Sequence, residues 1–120
     1  MKKKIIMIIR DLNVGGTERR MIRLLNNLDN KYDIYIITGT KSSNPELLKQ
    51  IDPKIKVIKI KKFNIINLYY MLKSIGKIDI SLCVNNYIGL LISLFLNVKN
   101  KIIIEGGNRM PKRKFLKNIL

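Results

Sequence analysis

The stretch "KIIMIIRDLNVGGTERRMIRLLNNL", residues 4–28, decides the fold. Lys4–Ile9 is a short apolar run rich in β-branched residues, which predicts a strand. From Thr17 to Leu28 the period changes. Met21, Leu24, Leu25 and Leu28 fall on one helical face, and Arg19, Arg20, Arg23 and Asn27 fall largely on the other. Gly16 or Thr17 can cap this helix, and Glu18 in its first turn suits the dipole. Between strand and helix stand Gly15 and Gly16. Two adjacent glycines at such a corner leave backbone N–H groups unshielded at a helix N-terminus, a place suited to anions. They also suit a plain tight turn, and the local sequence alone favours the turn.

The same unit repeats along the chain. Apolar runs at Ile34–Thr38, Lys56–Ile60, Ile80–Val84 and Lys101–Ile104 predict four more strands, with helix-period segments between them. A short helix is expected from Pro45, with Asn44 before it. Another is expected over Ile65–Ile75, capped by Asn64, ended by Gly76, and striped by Ile65, Leu68, Leu72 and Ile75. The segment Tyr87–Leu96 is apolar almost all round, so it is either deeply buried or covered by a partner. Alternation of this kind predicts an α/β, Rossmann-like parallel sheet of about five strands with helices on both faces. Lysines at 56, 59 and 61 interrupt the third strand and put it at an edge, which fits the order 3-2-1-4-5.

A chain of 120 residues, 47% hydrophobic, is one domain with a real core. No segment reaches the roughly 20 apolar residues of a membrane-spanning helix. The N-terminus is basic and then apolar, but "RDLN" follows where a signal peptide would carry small residues, so a cytoplasmic protein is expected. The tail "MPKRKFLKNIL" starts like a helix and stops, as if residues 1–120 formed a domain incomplete at its C-terminus. Cys83 sits in an apolar run and reads as a buried, inert thiol. Histidine is absent, which excludes histidine-based acid/base catalysis and histidine metal sites within this chain. The net charge of +16 attracts polyanions, although a chain rich in Lys, Ile and Asn gains charge from composition alone.

In such sheets ligands bind at the carboxyl ends of the strands, where the strand order reverses. For this order the reversal lies between strands one and four. The loop after strand one meets "NNYIG" there, with "EGGNRM" beside them. Asn85, Asn86, Tyr87, Glu105, Asn108 and Arg109 therefore converge, and they can hydrogen-bond hydroxyl-rich or phosphorylated ligands. Several classes sharing this topology are excluded. GxGxxG and GxxxxGK[ST] are absent, and strand two ends in Thr38-Gly39 without a ribose-binding acid. A phospho-receiver domain would need an aspartate where strand three ends in Ile60-Lys61. The basic residues read as scattered and without an aromatic platform, so no specific nucleic-acid partner is expected.

The corner and its flanks, "LNVGGTERRMIRLLNNLDNKYDIYIIT", resemble glycosyltransferase family 4, retaining enzymes of GT-B fold whose first loop reads L-x-x-G-G-A-E-R. Leu12, Gly15, Gly16, Glu18 and Arg19 match, and Thr17 stands at the usual alanine. The likeness continues more weakly through "DISLCVNNYIGLLISLFLNVK" and "KIIIEGGNRMPKR". It implies the N-terminal, acceptor-binding half of an enzyme that moves a sugar from a nucleotide-sugar to a saccharide or lipid-linked acceptor, as in cell-surface polysaccharide synthesis. Gly15, Gly16 and Thr17 would approach the donor diphosphate, Glu105 would be catalytic, and Asn13, Asn85, Asn86, Tyr87, Asn108 and Arg109 would face the acceptor. The nucleotide-sugar is then a co-substrate, with no cofactor or metal. The partner is a C-terminal donor-binding domain absent from this chain, which alone is expected to be inactive. The resemblance also implies peripheral contact with the inner, anionic membrane face. The sequence departs from the family where Gly106-Gly107 follow Glu105, since His or Arg is common there. The competing reading is a self-standing basic α/β module that binds nucleic acid or a membrane surface.

Overall fold

A computed structural model of the chain describes residues 2–12, 16–39, 45–84, 87–96 and 98–104. The elements alternate: β1 (Lys3–Ile9), α1 (Gly16–Asn26), β2 (Tyr32–Gly39), α2 (Pro45–Lys49), β3 (Lys56–Ile60), α3 (Ile65–Ile75), β4 (Ile80–Val84), α4 (Tyr87–Phe95) and β5 (Asn100–Ile104). The five strands form one sheet in the order β3-β2-β1-β4-β5, and every pair is parallel. This is the Rossmann-like α/β architecture expected.

Strand β1 occupies the centre, and its side chains from Ile5 to Ile9 are all buried. The pleat sends them alternately to two cores. Ile5, Met7 and Ile9 join Met21, Ile22 and Leu25 of α1 and Leu47 of α2. Ile6 and Ile8 join Leu68 and Leu72 of α3 and Ile92 of α4. Helices thus cover both faces, and they change face where the chain crosses from β3 to β4. Right-handed crossovers require that change once the strand order reverses. The lysines of β3, Lys56 and Lys59, are exposed on the edge strand; Lys61 lies just beyond it.

Three stripes differ from expectation. In α1, Leu24 is 50% exposed and Ile22 is buried in its place. Met21, Ile22 and Leu25 centre the buried face, and at about 100° per residue Leu24 falls near its margin. In α3, Leu68 and Leu72 are buried and Ile75 is half-buried, but Ile65 in the first turn is exposed. The N-terminal end of α3 overhangs the sheet there. Helix α4 is not wholly buried within this chain. Gly89, Ile92 and Ser93 face inward, whereas Ile88 and Leu91 are exposed. Small residues at positions 89 and 93 allow α4 to approach the sheet closely. The expected cap Asn44 lies outside the described residues. Both caps of α3 form as expected. Asn64 Oδ1 accepts the Asn67 N–H at 2.9 Å, and Gly76 leaves the helix at φ 94°, a conformation that favours glycine.

Asp79 fastens the amino ends of three strands. Its Oδ2 accepts the Lys4 N–H (2.8 Å), its own N–H donates to the Lys4 carbonyl (3.1 Å), and its carbonyl accepts the Asn100 N–H (3.0 Å). The Lys4 ammonium donates to the Ile75 carbonyl (2.6 Å), placing a cation at the C-terminus of α3. Replacing Asp79 by Ala strands the Lys4 amide, so urea denaturation should show a loss of about 1–3 kcal/mol. An unchanged midpoint would show that this carboxylate does not hold the strands.

Candidate functional site

The sheet ends level at the reversal point. Ile9 is in register with Val84, and Val84 with Ile104. Neighbouring strands lie about 4.8 Å apart, so the segments after β1, β4 and β5 leave the carboxyl edge side by side. Helices α1 and α4 begin at this edge, one on each face of the sheet. Their first turns stand beside the strand-order reversal between β1 and β4. The carboxyl edge at such a reversal is where ligands of parallel α/β sheets bind.

The start of the β1–α1 loop is held in place. The Arg10 carbonyl accepts the Gly39 N–H (2.9 Å) and the Thr38 hydroxyl (3.3 Å). Leu12 is fully buried in the α1-side core. Thr38 and Gly39 therefore tie β2 to the loop, which accounts for the absence of an acidic residue at that strand end. Gly16 opens α1, and Thr17 and Glu18 are half-buried in its first turn. Tyr87 opens α4. Of the residues expected to form the site, Asn13, Gly15, Asn85, Asn86, Glu105, Asn108 and Arg109 lie outside the described residues. The structure thus brings together the strand ends and helix starts that flank them. Among the described residues, no group of His, Cys, Asp and Glu could hold a metal ion. None of the described helices is long and apolar enough to cross a membrane.

A second feature was not legible as a site. Between α3 and α4 lies an open groove of about 590 Å³ lined by Ile65, Ile66, Tyr69, Tyr70, Lys73 and Ile92. Its sequence signal was the surplus of apolar residues in α3: Ile66 and Tyr70 have no place on the buried stripe. With the geometry in view, no protein-family model matches the chain and no curated protein matches it.

Cys83 is the chain's one cysteine and its strongest nucleophile by type. It is fully buried, and loss of water pushes its thiol from an ordinary value of 9.0 up to about 12. The hydroxyls of Ser81 and Ser93 favour the thiolate too weakly to offset that burial. Ser93 Oγ donates instead to the Gly89 carbonyl (2.8 Å), and Ser81 Oγ makes no hydrogen bond of ordinary geometry. Cys83 is a packing residue. In native protein its reaction with a disulfide reagent should run at least about a hundredfold slower than in urea. Because the folded thiol titrates higher, the unfolded chain holds fewer protons above pH 9, and stability falls as pH rises from there towards 12. Relative to Cys83→Ala, the native chain should lose about 1 kcal/mol between about pH 8 and 10.

The Gly39 corner gives a second check. A Cβ at this position would stand 2.9 Å from the Arg10 carbonyl oxygen, a backbone atom held at the end of β1. Gly39→Ala should therefore cost about 1–3 kcal/mol by urea denaturation, and a neutral result would mean the loop base moves freely.

Proposed function

We propose that this chain is the acceptor-binding half of a retaining glycosyltransferase of GT-B type. It would act on a saccharide or lipid-linked acceptor, with a nucleotide-sugar as donor. The observation that carries this reading is the corner Leu12-x-x-Gly15-Gly16-x-Glu18-Arg19, set between the central strand and α1 beside the reversal point. Its parts have separable work. Leu12 is sunk in the core and anchors the loop. Gly16, the first residue of α1, lets a ligand reach the helix N–H groups without meeting a side chain. In sugar transfer, negative charge grows on the departing diphosphate. Preorganised amides at a helix start stabilise that charge more in the transition state than in the bound donor.

The donor would come from a second domain facing this edge across a cleft. Asn13, Asn85, Asn86, Tyr87, Asn108 and Arg109 would hold the acceptor by hydrogen bonds, and Glu105 would sit nearest the reacting carbon. The test is to read the DNA beyond codon 120 and express what it encodes together with this chain. The expected result is a second Rossmann-like domain and sugar transfer only when both parts are present. Gly16→Val should then cut turnover about a hundredfold while the circular dichroism of the chain stays unchanged. An unrelated gene behind a genuine stop in independent isolates, or no transfer with any nucleotide-sugar, would overturn the proposal.

A further inference from the structure

The two faces of this sheet are covered unequally. On the α3/α4 side, Ile103 of β5 is 3% exposed, and it joins a core that includes Ile92 of α4. On the α1 side, burial thins from the central strand outward. Register and pleat set two rows there: Met7, Leu82 and Ile102 form one, and Ile9, Val84 and Ile104 form the other. The β1 and β4 members of both rows are buried, but Ile102 and Ile104 are only half-buried, and so is Ile80 at the start of β4. The cause is topological. Helix α1 joins β1 to β2 and α2 joins β2 to β3, so both serve the β1-β2-β3 half of this face. Among the described residues, no helix is left to lie over β5 there. All-parallel sheets carry cover on both faces almost without exception.

The sequence that follows β5 has the composition of such a cover. Residues 105–120 come after Ile104. Pro111 suits the first position of a helix. At about 100° per residue, Phe115, Leu116, Ile119 and Leu120 fall within one arc, and Lys114, Lys117 and Asn118 fall outside it. Lengths match as well. A helix over 111–120 is about 15 Å long, and a strand as short as β5 spans about 16 Å. Residues 105–110, with Gly106 and Gly107 among them, reach up to about 20 Å, enough to turn the chain back over the sheet.

We infer that residues 111–120 form a helix that returns over the α1 side of β4 and β5 and covers Ile80, Ile102 and Ile104. The helix runs antiparallel to β5, so Phe115 and Leu116 come over Ile102 and Ile104, and Ile119 comes over Ile80. Its basic side faces water. Another seat would be the groove between α3 and α4, but that groove lies on the face where α4 already covers β5. Its one charged lining residue, Lys73, also repels a segment with four cations and no acid. A second copy could cover the same isoleucines, but it would bring together two chains of net charge +16. The inference does not rest on the transferase proposal.

The test is cross-linking in the full 120-residue chain, read by mass spectrometry. Cys83 is buried and stays out of the reaction. A short bismaleimide should join Ile102→Cys to Leu116→Cys within one chain, at least about tenfold faster than it joins Ile66→Cys to Leu116→Cys. Ile66 is exposed on the α3 groove and marks the rival seat. Stability gives an independent reading. Leu116→Asp and Ile119→Asp should each lower the urea midpoint by about 0.5 M or more, whereas Lys117→Gln should move it less than about 0.2 M. Joining to Ile66→Cys as fast or faster, links formed only between two chains, or a midpoint unmoved by Leu116→Asp and Ile119→Asp would overturn the inference.

Discussion

Strand β1 is paired along both edges and covered on both faces, and this double enclosure sets the terms for everything around it. An enclosed strand tolerates no polar side chain between Ile5 and Ile9, and each pleat direction must have its own core. Once β2 and β3 have been laid to one side, the only free edge of β1 is the other, so β4 pairs there. That choice moves the helices from one face to the other. It also sets the strand-order reversal at the carboxyl ends of β1 and β4. The position of that reversal thus follows from how the first strand is buried.

Much of this was legible because the signals were local. The bounds of β3, β4 and α3 could be read directly, since Asn64 and Gly76 announce the two ends of α3 and β-branched runs mark the strands. The strand order followed from the lysines of β3, which only an edge could accept. What failed depended on distance in space. Whether Leu24 or Ile22 enters the core turns on the angle at which α1 meets the sheet, and no spacing rule encodes that angle. Ile65 was assigned inward because it completes a stripe, but the stripe outruns the sheet that would bury it. The lysines looked scattered because charge was weighed over the whole chain, although Lys59, Lys61 and Lys62 stand together at the end of β3. The candidate crevice was legible as a meeting of strand ends, through the register Ile9–Val84–Ile104. The calls at Asn85, Asn86 and Glu105 lie outside the described residues.

The two faces of the sheet have unequal chemistry. On the α1/α2 side, each helix carries an acidic residue among its basic ones, Glu18 and Glu46. On the α3/α4 side, acids are missing from Pro53 to Ile78, and aliphatic side chains stand in water. Compositional bias toward lysine and isoleucine can supply the residues, but it does not sort them.

The base of the β1–α1 loop carries a final consequence. Arg10 is held through its carbonyl by Thr38 and Gly39, Leu12 is locked in the core, and Gly16 already belongs to a helix. Three residues join two fixed points. Because Thr38 and Gly39 bind the Arg10 carbonyl, a substitution on β2 is felt where the chain leaves β1.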